Sequence, residues 1–153
     1  MKTIRFTLNG EPVAAQVETH ENAVELLQRL GLNGARESCA QGLCGCCTVI
    51  VDGRAISGCL YFAAFLDGCD VQTIEQPHGN DGLDAVQIAF AECGALQCGF
   101  CTPGFIMSSV DIVKRNGKKL DEATIRHELE GNICRCTGYH NIVKAIQAGA
   151  AKM

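Results

Sequence analysis

The cysteines of this chain constrain its fold more than any other feature of the sequence. There are eleven among 153 residues. Nine of them cluster around positions 39–59, 98–101 and 134–136. Disulfide frameworks are typical of shorter secreted chains with an even number of cysteines, and several of these thiols are too crowded for such a framework. The pattern therefore predicts metal-binding thiolates in a reducing compartment.

The first group of cysteines has the spacing of a known ligand motif. Cys39, Cys44 and Cys47 follow the pattern C-x4-C-x2-C, and Cys59 supplies a fourth thiol. This is the plant-type ferredoxin pattern for a [2Fe–2S] cluster, and the two glycines of the loop let backbone N–H groups curl toward such a cluster. Structural zinc is the alternative, but zinc motifs normally consist of two short pairs, so the spacing favours iron–sulfur. Cys46, between two ligands, is predicted to be a small buried thiol that faces away.

The second group of cysteines consists of two pairs. Cys98 and Cys101 form a C-x-x-C pair, and Cys134 and Cys136 form a C-x-C pair. Thr102-Pro103 predicts a helix start with Thr as the N-cap and Pro at the first helical position, and the second pair also runs into a predicted helix. The partial positive charge of a helix N-terminus favours a negatively charged, thiolate-ligated centre. The pattern predicts one four-thiolate site in a helical unit, but the spacing leaves zinc and [2Fe–2S] equally open.

Hydrophobic periodicity divides the chain into two parts. Before residue 77, alternating apolar residues predict a small mixed sheet, crossed by one helix that starts in a capping box at Asn22. After it, apolar residues recur at helical spacing and predict four helices of about ten to fifteen residues, enough for a bundle. Turn residues dominate the sequence PHGNDG at 77–82, where we place the boundary between domains 1–76 and 77–153.

Composition argues against two classes of partner. The formal net charge is −4, so a basic surface for nucleic-acid phosphates is not expected. No apolar run reaches the roughly 18–20 residues that a membrane span needs. The first twenty residues alternate polar and apolar and do not read as a signal peptide. The cytoplasm is therefore the expected compartment, although a partner's signal could export a folded complex.

The two cysteine patterns together resemble the small iron–sulfur subunit of the molybdenum hydroxylases, the xanthine oxidase and aldehyde oxidoreductase family. The matching stretches are residues 39–47 with Cys59, QCGFCTPG at 97–104 and GNICRCTGY at 131–139. The similarity covers essentially the whole chain. It implies an α+β fold in which an N-terminal ferredoxin-like β-grasp domain is followed by a C-terminal four-helix bundle.

The resemblance also implies cofactors and residue roles. The ligands of the two implied [2Fe–2S] clusters are Cys39, Cys44, Cys47 and Cys59 for one, and Cys98, Cys101, Cys134 and Cys136 for the other. In the family, the second cluster lies nearest a molybdenum–pterin cofactor held by a large subunit. Gln97 matches the residue that hydrogen-bonds this pterin, and Cys136 matches the ligand beside it. The expected function is relay of single electrons from that centre, through both clusters, to a flavin-binding medium subunit or another acceptor.

Two other functions fit the cysteine patterns without the resemblance. One is a stand-alone module that senses redox state or iron, and the other is a zinc-stabilised structural protein. A subunit should co-purify with a large molybdenum chain, whereas a sensor should not. Colour separates the zinc protein, because zinc sites are colourless and iron–sulfur sites are red-brown.

Overall fold

The structure, a computed structural model, describes residues 1–76 and 83–153. In these ranges the chain is mixed α+β, with a five-stranded sheet and five α-helices. The predicted boundary at 77–82 lies outside the described residues. None of the helices in the described ranges has the length and apolar character that crossing a bilayer requires.

The sheet and one helix occupy the N-terminal part. Their bounds are β1 Lys2–Leu8, β2 Glu11–Val17, α1 Ala23–Arg29, β3 Thr48–Val51, β4 Arg54–Ser57 and β5 Asp70–Gln72. The strand order is β2-β1-β5-β3-β4, in which only β1 and β5 pair in parallel. The predicted alternation is confirmed, since Ile4, Phe6 and Leu8 are buried. The capping box is also confirmed: the Asn22 side chain accepts the Glu25 N–H at 2.9 Å, and the Glu25 carboxylate accepts the Asn22 N–H at 2.8 Å.

Four helices follow in the C-terminal part. They are α2 Leu83–Glu92, α3 Thr102–Asn116, α4 Glu122–Glu128 and α5 His140–Lys152. The Asp121 side chain caps α4 by accepting the Thr124 N–H at 2.7 Å. Helix α4 has seven residues and is shorter than expected. It ends at its C-cap Leu129, whose carbonyl accepts the Asn132 N–H, and the chain then turns into the loop that carries the last cysteine pair.

Strand β3 joins the two parts of the fold. Buried apolar side chains form one core under the sheet and α1, and a second core among the four C-terminal helices. Successive residues of a strand point to opposite faces. Val49 and Val51 accordingly belong to the first core, whereas Ile50 belongs to the second. Helix α3 packs directly on β3, and so the cysteine loops at the start of β3 and the start of α3 lie against each other.

A buried carboxylate on α3 lies near two arginines, and only one of them donates a hydrogen bond to it. The side chain of Asp111 is 7% exposed, and its Oδ2 accepts a hydrogen bond from Arg115 Nε at 2.8 Å. Its Oδ1 is buried without a hydrogen bond in the described part of the chain, and Arg54 Nε lies 3.7 Å away. Arg115 also donates to Glu128 of α4 at 2.7 Å, and this bond lowers the pKa of Glu128.

Removing this arginine should therefore destabilise the protein more than a surface substitution does. We expect Arg115→Met to lower the free energy of unfolding by about 3 kcal/mol, because a buried carboxylate that loses its partner is costly. Adding Asp111→Asn to this variant should recover part of the loss, since a neutral amide costs less to bury. Urea unfolding of the parent, of Arg115→Met and of the double variant measures both effects. If the second substitution makes the loss larger, the buried charge is not its cause.

Candidate metal centres

The first set of predicted ligands lies beside β3 and β4. Cys44 and Cys47 end the loop from α1 to β3 and are buried, whereas Cys39 is half-buried. Cys59 comes after β4, which pairs antiparallel with β3 and returns the chain to this loop. The Gly58 N–H donates to the Cys47 carbonyl at 3.2 Å and holds the return in place. The sheet thus brings the fourth thiol to the other three.

Hydrogen bonds and burial act in opposite directions on these thiols. The N–H groups of Gln41 and Leu43 both lie 3.4 Å from Cys39 Sγ and donate to it. They lower the pKa of Cys39 to about 6. Burial instead raises the pKa of Cys47 to about 11. A bound metal centre offsets the free-energy cost of ionising the buried Cys47 thiol, because ligation stabilises the thiolate form.

The second set of predicted ligands meets where α3 and α5 begin. Cys98, Cys101, Cys134 and Cys136 all line one cavity of about 190 Å³. Cys134 is buried, Cys101 is half-buried, and Cys98 and Cys136 are exposed. Burial raises the pKa of Cys101 to about 12. The site is therefore open to solvent on the side of its two exposed thiols.

Residues of the loop before α5 form hydrogen bonds with the thiol and the backbone N–H of Cys134. Its Sγ accepts the Thr137 hydroxyl at 3.0 Å and the Thr137 N–H at 3.4 Å. Although burial opposes ionisation of Cys134, these two bonds lower its pKa. The Tyr139 hydroxyl accepts the Cys134 N–H at 3.0 Å and donates to the Asn132 carbonyl at 3.1 Å. The loop thus holds the thiol and supplies donors to a negatively charged sulfur.

The thiols of both sets interact as pairs. The pairs are Cys39 with Cys44, Cys47 with Cys59, Cys101 with Cys134, and Cys98 with Cys136. A [2Fe–2S] cluster needs two thiolates at each of two irons, whereas structural zinc needs four ligands around one point. Residues 1–76 and 83–153 contain no group of three His, Cys, Asp or Glu side chains arranged to hold a single metal ion. These cysteine pairs match the two thiolates that each iron of a [2Fe–2S] cluster takes.

The start of α3 differs from the prediction in one respect. Thr102 is the first residue of the helix and not its N-cap, and Pro103 is the second. Cys101 is the N-cap, with φ −80° and ψ −15°, and its side chain makes no capping hydrogen bond. The assignment of Thr102 as the cap is wrong because Cys101 already has helical dihedral angles. As a result, the helix starts directly at a predicted ligand.

Gln97 directly precedes Cys98 in the sequence, and Cys136 lines the cavity of the second site. Each is exposed. The Gln97 side chain has no hydrogen-bond partner in the described part of the chain. Interaction with the Cys98 thiol raises the pKa of Cys136. The nearby side chains of Phe100 and Ile133 are 45% and 52% exposed, so this surface has an apolar rim.

The cysteine spacing does not predict several residues that connect the two sites. The Ile133 N–H donates to the Cys44 carbonyl at 2.9 Å, and the Arg36 side chain reaches the loop after Cys98. Cys46 is buried, as predicted, and burial raises its pKa to about 12. It faces the cavity of the second site, a placement that the spacing did not predict. Only the packing of one loop on the other reveals these contacts.

Known proteins are similar to this chain over nearly its whole length. Residues 6–73 match the family described as 2Fe-2S iron-sulfur cluster binding domain, and residues 73–147 match the [2Fe-2S] binding domain family. The chain is 44% identical over 145 residues to the xanthine dehydrogenase iron-sulfur-binding subunit of Escherichia coli O157:H7, which covers 94% of this chain and 91% of the relative.

Solved structures share the fold as well. Quinoline 2-oxidoreductase from Pseudomonas putida 86 matches with a TM-score of 0.92 and 37% identity, covering 98% of this chain and 94% of that chain. The aldehyde oxidoreductase from Desulfovibrio desulfuricans ATCC 27774 matches with a TM-score of 0.90 and 33% identity over 99% of this chain, but over only 17% of its own. The same unit therefore also occurs inside a much longer chain.

Proposed function

Because this chain belongs to the iron–sulfur subunits of the molybdenum hydroxylase family, we propose that it is the electron-transfer subunit of a multi-subunit molybdenum-dependent hydroxylase or dehydrogenase. It relays single electrons from a molybdenum–pterin centre, through two [2Fe–2S] clusters, to a flavin or an external acceptor. The chemistry of the substrate takes place on another chain. The observation that carries this proposal is the pair of four-cysteine sites packed against each other in one small fold.

We assign each site the ligands that its geometry supports. The first cluster is held by Cys39, Cys44, Cys47 and Cys59, and the second by Cys98, Cys101, Cys134 and Cys136. When bound, each cluster supplies a one-electron carrier. The protein's part is to hold the thiolates, to exclude water from the buried ones and to direct N–H and O–H donors at sulfur. The Gln41 N–H that donates to Cys39 and the Thr137 hydroxyl that donates to Cys134 are such donors.

The open side of the second site is the surface that we assign to the large molybdenum subunit. Gln97 is exposed with a free amide, and we propose that it hydrogen-bonds the pterin. Cys136 is the exposed ligand on the same side, and we propose that it lies beside that cofactor. The apolar rim formed by Phe100 and Ile133 suits a permanent contact with a partner chain. A flavin-binding medium subunit, or another acceptor, takes electrons from the side of the half-buried Cys39.

The division of the chain into domains belongs to this proposal too. We assign residues 1–76 to a ferredoxin-like domain of the β-grasp type and residues 77–153 to a four-helix bundle. The two separate hydrophobic cores support this division. A reducing compartment such as the cytoplasm fits the eleven cysteines, none of which forms a disulfide in the described ranges.

Low-temperature EPR of the dithionite-reduced protein, with iron and zinc quantified, tests this proposal. We expect two distinguishable S = ½ signals and about four irons per chain. One signal with two irons and a zinc ion would contradict the second cluster. The chain should also co-purify with a large molybdenum-containing partner. Purification of a two-cluster chain that never carries such a partner would favour the stand-alone sensor.

A further inference from the structure

We propose that Arg36 is a positioning residue for the second cluster: it fixes the Cys98–Cys101 ligand loop to the first ligand loop and raises the reduction potential of the second cluster. The inference rests on the ligand set proposed above. It goes beyond that set because Arg36 is not a ligand and lies in the other half of the sequence.

The contacts of Arg36 join two loops that are distant in sequence. Its Nη1 donates to the carbonyl of Gly99 at 2.7 Å and to that of Phe100 at 2.9 Å. Both carbonyls lie on the backbone between Cys98 and Cys101. At its other end, the Arg36 N–H donates to the carbonyl of Cys46, in the first ligand loop, at 3.2 Å. One residue thus holds both loops.

The ring of Phe100 adds a second restraint. The Arg36 guanidinium carbon lies 5.5 Å from the centre of this ring, which is within the range of a cation–π contact. Hydrogen bonds from a charged donor are stronger than neutral ones. Gly99 has φ +78°, a backbone conformation that few residues other than glycine adopt readily. The guanidinium therefore binds the ligand loop at a place where the backbone has an unusual conformation.

The charge of Arg36 gives the residue its electrostatic effect. Within the described ranges its side-chain hydrogen bonds go to carbonyl oxygens, and no carboxylate is hydrogen-bonded to it there. Four thiolates give an iron–sulfur site a net negative charge, which increases by one on reduction. A positive charge beside the site favours the more negative, reduced form. Arg36 is partly buried, so water screens this effect less than it would at a fully exposed position.

Two substitutions separate the charge from the hydrogen bonds. Arg36→Gln keeps a donor but removes the charge, whereas Arg36→Lys keeps the charge and loses the planar fork. Arg29→Gln is the matched control, because it removes an arginine charge from α1, where Arg29 pairs with Glu21, and leaves the contacts of Arg36 in place. All variants are made in the full-length chain together with the chains that co-purify with it. An EPR-monitored redox titration then gives the midpoint potential of each cluster.

We expect Arg36→Gln to move the midpoint of the second cluster to a more negative potential and to leave the first cluster unchanged. At the midpoint potential of the parent, less than half of the second cluster should then be reduced. Arg36→Lys should give a clearly smaller shift, and Arg29→Gln should leave both midpoints unchanged. Hydrogen exchange in the peptide that contains residues 97–101 should be faster in both Arg36 variants, because each loses part of the contact between the loops.

Three results would overturn the inference. The first is an unchanged second-cluster potential in Arg36→Gln, and the second is an equal shift of both clusters. The third is an equal shift in Arg36→Gln and Arg36→Lys, which would mean that the charge has no role. These failures differ from failure of the proposed function, in which the unaltered chain itself would hold fewer than two clusters.

Discussion

Replacing Cys136 with alanine is expected to remove the second cluster and to stop turnover of the complex with an acceptor dye. The proposed relay has no bypass: an electron from the molybdenum side reaches the first cluster only through the second. We expect the loss of activity to exceed the roughly 10–100-fold that outer-shell partners of a metal site are worth, because Cys136 is itself a proposed ligand. Iron should fall from about four to about two per chain.

Cys93→Ala is the matched control for this experiment. Cys93 is half-buried against the helical core and is not assigned to either ligand set. This variant should keep both EPR signals and nearly full activity. In Cys136→Ala, the signal of the first cluster should persist, which shows that the chain has folded. Full turnover in Cys136→Ala without the second EPR signal would refute the relay.

Replacing Gly104 with alanine is expected to separate the two ligand loops. Gly104 lies in the first turn of α3 and is buried. A β-carbon at this position would overlap the carbonyl oxygen of Gly45 and lie 2.9 Å from the Gly45 carbonyl carbon and 3.0 Å from Cys46 Cα. All three are backbone atoms of the first ligand loop, so no side-chain rotation relieves the clash. Either α3 or the loop has to move.

Two opposing effects decide how far Gly104→Ala changes the free energy of unfolding. Alanine is a better helix former than glycine by about 1 kcal/mol. Overpacking a close contact costs about 1–3 kcal/mol, and sometimes more. Because backbone overlap is the hardest kind to relieve, we expect a net loss of about 2 kcal/mol in the free energy of unfolding. Loss of iron from the first site should accompany it, since the displaced loop carries Cys44 and Cys47.

Gly131→Ala separates this clash from a general effect of glycine replacement. Gly131 has open space around its Cα and no left-handed backbone angle, so a methyl group should be tolerated there. Urea unfolding and iron content of both variants provide the measurement. Equal stability of Gly104→Ala and the parent would show that the loops are not in close contact at this position.

Local features of the chain were predicted well from the sequence. Strand alternation and the capping box at Asn22 involve residues only a few positions apart, so the sequence contains both partners of each interaction. The N-cap of α3 was the exception, because Cys101 takes up helical angles that its residue type does not indicate. The predicted length of α4 was also too great. Its apolar pattern continues to Leu129, but the backbone turns there toward the cysteine loop.

The sequence by itself indicated which thiols are candidate iron ligands, because cysteines at these fixed spacings match a known ligand motif. Tertiary structure alone decided how the two sites meet. Arg36 and the carbonyl of Gly99 are 63 positions apart, and Gly45 and Gly104 are 59 apart. Spacing along the chain gives no information about such pairs. They come together only because β3 is covered on both faces and α3 packs on one of them, which places the start of the helix against the first ligand loop.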